Sequence, residues 1–391
     1  MKIVGVSTHL VYAGMRNWVL VRIDTDEGIA GVGEATLEGK EATMAAAVGE
    51  LARYLVGRDP RPVQHHWHAM YQAFWKGGPV LQSALAGVEI ALWDIKGKAL
   101  GVPIYELLGG PVRERVRAYT HVRRPGAVQG ERVNMWWEQG TPEASAALAK
   151  ELVSRGFTAL KTGPFVEHGT RRDRGWLRRT VERAVAIRDA VGPDVDLMID
   201  LHGRLEPAAA IGFAEDVAAL RLYFLEEPVA PENLEALGRV ARNTRVPLAV
   251  GERLYSKYDF WGLLRLGIVE FVQPDVCHCG GIAELRSIAA MAEACQVRVA
   301  PHNPLGPVAT AAALQVAAAI PNFALLETKV DDVPWRSQLL TRPLLPVDGY
   351  FALPTGPGLG IEVDWAVAAA HPYQAQDLPR ATHEDGSVAI W

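Results

Sequence analysis

The stretch that decides the fold is residues 197–205, LMIDLHGRL. An apolar run ends in a carboxylate, Asp200, and an imidazole, His202, two positions apart. If residues 197–202 form a strand, alternation sends both side chains to the same side. Burying an acid beside a histidine is costly unless a further group pairs with them. The stretch therefore predicts a strand that delivers two polar side chains to a binding site.

Seven other apolar runs follow the same plan and are separated mostly by helix-like segments. They read VRAYTHV, TALKTG, LYFLEEP, LAVGER, EFVQPD, VRVAPHNP and FALLET. Residues 142–155, for example, begin with proline and are followed by Gly156, as is typical of a helix. Eight β units with helical connections predict an α/β fold of the TIM-barrel, (β/α)8 type. The connection at 122–141 is unusually long and carries Trp136 and Trp137, which indicates a functional loop.

The residues before the barrel indicate a small α+β domain. Two strand-like runs, 17–24 and 28–36, flank a turn, and helical periodicity follows it. Residues after 345 form an extended segment broken by Gly and Pro. We therefore predict three parts: a capping domain at 1–115, a catalytic barrel at 116–345, and a C-terminal segment at 346–391 that returns to the capping domain.

Composition excludes several classes of function. The 391 residues are 49% apolar and 22% charged, with a net charge of −5. There is no basic block that would indicate binding to nucleic acid or to an anionic membrane. No run of 18 apolar residues and no signal-peptide pattern occurs, and three cysteines do not make a disulfide framework. The sequence predicts a soluble, cytoplasmic protein with no nucleic-acid or membrane partner.

A polar or charged residue recurs where each apolar run stops. These residues are Lys161, Asp200, Glu226, Glu252, Asp275, His302 and Glu327. From Asp200 onward they are 26, 26, 23, 27 and 25 residues apart, which is one βα unit each time. In a barrel such positions converge on the C-terminal mouth, where the active sites of TIM-barrel enzymes lie.

Three of these residues are carboxylates on adjacent predicted strands. Asp200, Glu226 and Glu252 would repel one another in a partly dry pocket unless a cation neutralised them. Oxygen-only ligands favour Mg²⁺ over Zn²⁺. The alternative is that each acid caps a neighbouring helix or pairs with an arginine such as Arg204 or Arg253. We predict a metal site.

Two histidines flank the predicted metal site. Asp275, on the strand before His302, could hold one imidazole nitrogen and leave the other free to act as a base. A packed or solvent-facing histidine is the alternative for His302. His202 lies on the Asp200 side, across the barrel from His302.

Several motifs give the sequence a specific resemblance. They are IDLHGR, LEEPV, GERLYSKYDF, QPD, CGGI, APHNPLGP and the C-terminal HEDGSVAIW, with WKGGPVLQSALAG and ALWDIKGKALGVPIYELLGG in the first domain. Together they resemble the enolase superfamily, and within it the mandelate-racemase-like acid-sugar dehydratases, the galactonate dehydratases most closely. The likeness covers nearly the whole chain.

The resemblance implies dehydration of a sugar acid, a galactonate-like aldonate, to a 2-keto-3-deoxy acid. Mg²⁺ on the three carboxylates would bind the substrate carboxylate and stabilise an enediolate. His302, oriented by Asp275, would take the α-proton, and His202 would protonate the departing β-hydroxyl. Glu327 would hydrogen-bond the substrate carboxylate, which requires it to donate or share a proton. A homo-oligomer is also implied.

The resemblance further implies which residues contact substrate and where this chain departs from its relatives. Arg16, Trp75, Lys76 and Trp136 are the expected substrate-binding residues. Many relatives carry Lys-x-Lys where this chain has Lys161-Thr162-Gly163. The missing second lysine weakens the case for a racemase or epimerase that uses two bases. Lys161 would then be an electrostatic helper or simply a lysine at the end of a strand.

Other functions are compatible with parts of this pattern. An epimerase, racemase or cycloisomerase would use the same enediolate, and a metal-free glycosidase could use Glu226 and Glu252 as its acid/base pair. A catalytically silent binding protein is a third alternative. Cys277 and Cys279 in CHCGG are expected to be ordinary buried thiols, and His65 and His68 of HHWH (65–68) to lie on a polar helix face.

Overall fold

The computed structural model describes residues 1–14, 16–72, 75–123, 141–164, 171–172, 175–330, 332–375, 382–383 and 385–388. The first domain consists of an antiparallel sheet and helices. Its elements are β1 Ile3–Tyr12, β2 Asn17–Thr25, β3 Ala30–Glu34, α1 Glu41–Leu55, α2 Val63–Tyr71, α3 Pro79–Leu100 and α4 Ile104–Leu107. Gly101 ends α3 in the left-handed conformation, at φ 71°. A Cβ on Gly33 would lie 1.9 Å from the Gly87 carbonyl oxygen, so glycine lets α3 pack directly on the sheet.

The second part alternates strands and helices. Its elements are β4 Arg115–His121, α5 Pro142–Ser154, β5 Ala159–Thr162, β6 Arg171–Arg172, α6 Trp176–Val191, β7 Asp196–Asp200, α7 Pro207–Asp216, β8 Phe224–Glu226, α8 Leu234–Ala241, β9 Leu248–Val250, α9 Lys257–Leu264, β10 Phe271–Val272, α10 Ile282–Ala294, β11 Arg298–Val299, α11 Pro307–Ala319 and β12 Leu326–Glu327.

Eight of these strands form the predicted barrel. They are parallel and lie in the order β12-β4-β5-β7-β8-β9-β10-β11. A parallel bridge between Val299 and Phe323 joins the two ends of this order. Tyr119, Met198 and Phe224 are buried together inside the barrel, so its interior is a packed core. The predicted fold class is confirmed.

One local expectation is wrong. The strand predicted at 197–202 ends at Asp200, and His202 lies in the turn that follows, with a φ of 50°. His202 therefore reaches its position through a left-handed turn rather than through strand alternation.

The C-terminal segment contacts both parts of the molecule. The strand β13, Tyr350–Ala352, pairs antiparallel with β4 of the barrel. The helix α12, Trp365–Ala370, then packs against β1, and a short strand β14, Thr382–His383, pairs with β6. The exact domain limits given above remain predictions. None of the helices in the described ranges is long and apolar enough to span a bilayer.

Three buried carboxylates, which we call the interdomain acids, help to join the first domain to the rest. Glu34 accepts hydrogen bonds from the N–H groups of Gly306 and Ala309, at 2.8 and 2.9 Å, where α11 begins. Glu89 accepts hydrogen bonds from the N–H groups of Ile282 and Ala283, where α10 begins. Asp94 accepts one from the N–H of Leu359 in the C-terminal segment. Because α11 begins at the C-terminal end of the barrel strands, these bonds hold the first domain at the barrel mouth.

Candidate active site

The three predicted metal ligands meet at the barrel mouth. Asp200 and Glu226 are register partners at the ends of β7 and β8, and Glu252 follows β9 by two residues. One oxygen from each lies within 4.8 Å of the others, and Asp200 and Glu226 are buried. We call these residues the acid trio.

The turn after β7 places His202 beside the acid trio. The N–H of His202 donates to Asp200 Oδ1 at 2.9 Å, which closes a tight turn over the strand end. His202 Nε2 then lies 3.2 Å from Asp200 Oδ2. A histidine in the left-handed backbone conformation costs conformational energy, and such residues tend to occur at functional sites.

Lys161 lies inside the acidic cluster. Its buried Nζ is 2.9 Å from Glu226 Oε2, 3.1 Å from Glu327 Oε1 and 3.4 Å from Asp200 Oδ2. Of the two alternatives that the sequence left open, this position favours the electrostatic helper over a bystander at a strand end. One ammonium group cannot balance four carboxylates, counting Glu252.

The pKa shifts in the acid trio reflect this imbalance. Burial and the charge of Asp200 raise the pKa of Glu226 well above its usual value, although Lys161 opposes the rise. Burial, Glu227 and Asp200 likewise raise the pKa of Glu252 well above its usual value. Glu252 Oε2 is buried and accepts no hydrogen bond from the described residues. A divalent cation bound by oxygen would satisfy these groups, so the donor set fits Mg²⁺.

The predicted base and its partner are in hydrogen-bond contact. His302 Nδ1 lies 2.7 Å from Asp275 Oδ2, and Nε2 lies 3.4 Å from Glu252 Oε2. Burial lowers the pKa of His302, but Glu327 and the bond to Asp275 raise it, and the net result is a rise. A histidine held in this way presents Nε2 to the acid trio as a strengthened base.

Glu327 lies among groups that lower its pKa, and its predicted role toward the substrate carboxylate stays a prediction. Burial raises its pKa, but Lys161, His302 and a bond from His121 together bring it well below the usual value. The carboxylate also accepts from the N–H of Asn303 at 3.0 Å. Lys161, whose Nζ lies 3.1 Å from Glu327 Oε1, offers N–H donors on this side of the site.

His278 is a residue of the site that was not predicted from the sequence. This buried histidine lies three residues after Asp275, with Nδ1 3.8 Å from Asp275 Oδ2 and Nε2 3.0 Å from the Thr36 carbonyl oxygen. His278 thus links the first domain to the Asp275–His302 pair. The histidine spacing in PDVCH could have indicated it, but the interpretation of CHCGG considered only the thiols. Cys277 and Cys279 are buried, as expected.

Most of these groups line one cavity of about 190 Å³, although Glu226 and Asp275 do not, and the predicted substrate-binding residues are divided. Arg16 lines the cavity. Trp75 is 85% exposed and Lys76 donates to Gln72 at 3.2 Å, and neither lines the cavity. Trp136 lies outside the described residues, as does most of the predicted 122–141 loop. The roles of Trp75, Lys76 and Trp136 stay predictions.

Known proteins match this chain over nearly its whole length. Residues 6–109 match the mandelate racemase / muconate lactonizing enzyme N-terminal domain, and residues 144–367 match the enolase C-terminal domain-like family. D-galactonate dehydratase of Ralstonia pickettii is 40% identical over 383 residues, 96% of each chain. D-galactonate dehydratase of Verminephrobacter eiseniae is 41% identical over 400 residues, 100% of each chain.

Solved structures agree with these matches. A member of the enolase superfamily from Salmonella Typhimurium has a TM-score of 0.87 at 34% identity, covering 95% of this chain and 98% of that one. A mandelate racemase/muconate lactonizing enzyme-like protein from Rubrobacter xylanophilus has a TM-score of 0.86 at 36% identity, with the same coverage. The chain belongs to the mandelate racemase / muconate lactonizing enzyme family of the enolase superfamily.

Proposed function

We propose that the protein is a Mg²⁺-dependent acid-sugar dehydratase that converts a sugar acid into a 2-keto-3-deoxy acid. The observation that carries the proposal is the acid trio with His302 on one side and His202 on the other. The D-galactonate dehydratases that are about 40% identical to the chain support the same reaction class. Asp200, Glu226 and Glu252 would hold the Mg²⁺ ion, which supplies positive charge that makes the α-proton of a bound carboxylate more acidic.

His302 begins the reaction. Its Nε2 faces the acid trio while Asp275 holds Nδ1, so the free nitrogen accepts the α-proton of the substrate. Lys161 donates hydrogen bonds to the substrate carboxylate as negative charge accumulates on the resulting enediolate. Glu226 and Glu327, at 2.9 and 3.1 Å from Nζ, hold Lys161 in place and raise its pKa well above the usual value against the effect of burial.

His202 completes the dehydration by giving a proton to the departing β-hydroxyl. Burial, together with Arg204 and Lys161, lowers the pKa of His202 to about 3, so its imidazole is neutral before substrate binds. An anionic substrate brings negative charge that favours uptake of a proton from solvent by this imidazole, and that proton leaves with the β-hydroxyl as water. The α-proton that His302 accepts and the hydroxyl that leaves come from neighbouring carbons. Their loss gives an enol, which tautomerises to the keto acid.

The direct test is turnover of a library of hexonates, pentonates and aldarates with Mg²⁺, detecting 2-keto-3-deoxy acids with semicarbazide. We expect one or a few acids to react, and we expect EDTA, His302→Asn and Glu226→Gln each to reduce turnover at least about 10³-fold, since each removes several kcal/mol of transition-state stabilisation. Glu182→Gln, an exposed acid on α6 paired with Arg178, is the matched control. Turnover that survives EDTA would contradict the proposal.

An epimerase, racemase or cycloisomerase remains the second candidate, because it needs the same metal and base. Isomerised acid without loss of water in the same library would favour it. The cytoplasmic location and the homo-oligomer stay predictions.

A further inference from the structure

An ion pair, Glu227 with Arg253, adjoins the acid trio. Each of its members is the next residue in the chain after a member of the trio, Glu226 or Glu252. Arg253 Nε donates to Glu227 Oε1 at 3.3 Å, and Arg253 Nη2 donates to Glu227 Oε2. Glu227 is buried. Two bonds from one guanidinium fix its direction as well as its distance.

The backbone at the ends of three strands is shaped around this pair. Glu227 has a φ of 40°, a left-handed conformation that costs energy in a residue with a side chain. Its N–H donates to the Ala249 carbonyl oxygen at 3.0 Å, and its own carbonyl oxygen accepts from the N–H of Gly203 at 2.8 Å. Gly203 has a φ of 65°, and a Cβ there would overlap Arg253 Nη2. The segments that follow β7, β8 and β9 therefore meet at the Glu227–Arg253 pair.

Arg253 is a cation near the acid trio that is bound elsewhere. It lines the same cavity as Asp200 and Glu252. Burial lowers the pKa of Arg253, but Glu227 and then Glu252 and Asp200 raise it above its usual value, so all three acids act on the guanidinium. Among the described residues, the carboxylate within ion-pair distance of the guanidinium is that of Glu227 and not that of Glu252. The arginine that follows Glu252 in the sequence therefore does not neutralise it.

A guanidinium bound to the acid trio would compete with Mg²⁺. Arginine is always protonated and binds a carboxylate through two parallel bonds, so it would occupy the oxygens that a metal ion needs. Without Glu227, a partly buried Arg253 would turn toward the remaining acids of the cavity, because a buried charge without a partner is costly.

We propose that Glu227 is a positioning residue of the metal site: by holding Arg253, it keeps Asp200 and Glu252 free to bind the Mg²⁺ ion. This proposal rests on the metal site in the proposed function and goes beyond it, because it gives a role to a residue outside the acid trio. The alternative is that the Glu227–Arg253 pair only fastens the ends of β8 and β9 together.

Binding of Mg²⁺ without substrate tests the proposal apart from catalysis. Calorimetry measures the dissociation constant of Mg²⁺ for protein that has been treated with EDTA and desalted. Glu227→Gln keeps the size of the side chain but removes its charge and releases Arg253. We expect the Mg²⁺ affinity to fall about 10-fold, since one competing charge a few ångströms away has an effect of that order. Glu227→Asp keeps the charge and should keep most of the affinity.

The double variant Glu227→Gln/Arg253→Met separates positioning from fastening. Removal of both charges of a buried pair is tolerated better than removal of one, so this variant should fold even if Glu227→Gln does not. We expect it to bind Mg²⁺ within about threefold of wild type, because no guanidinium remains to compete. If the pair only fastens the strand ends, the double variant should bind Mg²⁺ at least about 10-fold more weakly than wild type.

Glu284→Gln is the matched control. It removes the same charge from a buried carboxylate that is paired with Lys257, at 2.9 Å, outside the cavity. We expect its Mg²⁺ affinity to equal that of wild type. An equal loss in Glu284→Gln and Glu227→Gln would reduce the effect to one of net charge and would overturn the positioning role.

The other outcomes separate this proposal from the proposed function. Unchanged affinity in Glu227→Gln, or a double variant that binds as weakly as Glu227→Gln, would overturn the positioning role. Wild-type protein that binds no Mg²⁺ would overturn the metal site and this proposal together. Mg²⁺ binding with the expected order of variants, but without dehydration of any acid by the wild type, would overturn the proposed function and leave the role of Glu227 standing.

Discussion

The acid trio and the interdomain acids are two sets of buried or half-buried carboxylates with different partners. Glu89 accepts from the N–H groups of Ile282 and Ala283, at 2.8 and 2.9 Å, and from Trp93 Nε1 at 2.6 Å. Asp94 and Glu34 also accept backbone N–H groups. Glu226 and Glu252, by contrast, receive no backbone N–H bond from the described residues and face other carboxylates.

A structural acid and a functional acid differ in what surrounds them. Burial raises the pKa of Glu34 and of Glu89, just as it raises that of Glu226, so the direction of the shift does not separate the two sets. The kind of partner separates the two sets. An acid whose oxygens accept backbone N–H groups is satisfied by the fold itself, whereas acids that face one another with a single ammonium group among them require a further cation.

The largest stability effect is expected from Glu89→Ala. The substitution leaves the N–H groups of Ile282 and Ala283 buried without an acceptor, so we expect the free energy of unfolding to fall by about 3 kcal/mol. Chemical denaturation measures the loss, and kcat/KM per folded molecule should stay within about twofold of wild type. Glu182→Ala on exposed α6 should lose little stability, and an equal loss there would contradict the capping argument.

A second prediction concerns the effect of pH on stability through Glu89. Burial raises the pKa of Glu89 from 4.5 to about 8, although the bonds from Ala283 and Ile282 oppose the rise. Between these values the folded state holds a proton that the unfolded state has lost, so stability falls as pH rises through this window. The contribution is about 1.4 kcal/mol per pH unit.

Comparison with Glu89→Gln isolates this contribution, because the amide does not titrate and all other groups are shared. Denaturation in EDTA at several values between pH 5 and pH 8 should give a shallower decline for the variant, by one proton. Parallel declines in the two proteins would refute the assignment of a raised pKa to Glu89.

The barrel could be predicted from sequence because its signal repeats. Each βα unit ends its apolar run with a polar residue, so errors in a single strand, such as the extension of β7 to His202, do not change the topology. The acid trio, Asp275 and His302 followed from the same spacing. Their positions needed only the rule that parallel strands end together at the barrel mouth.

Other features depend on contacts that no local pattern encodes. Glu34 and Glu89 reach backbone groups 272 and 193 residues away, so they read as ordinary acids in their own helix or strand. The part played by Lys161 depends on acids from three other units, and that of His278 on a carbonyl group of the first domain. The left-handed turn at His202 is set by the side chain of Asp200, which alternation alone does not reveal.

The smallest predicted effect has the opposite sign from Glu89→Ala and therefore tests the comparison most sharply. Glu252→Gln keeps the size of the side chain but removes one charge from the acid trio, whose mutual repulsion costs stability while no cation is bound. In EDTA we expect the free energy of unfolding to rise by about 1 kcal/mol. With Mg²⁺ the ranking should reverse, because the wild type gains binding energy that the variant has lost. A loss of stability in EDTA would mean that Glu252 is held by the fold in the manner of Glu89, and the distinction between the two sets of acids would fail.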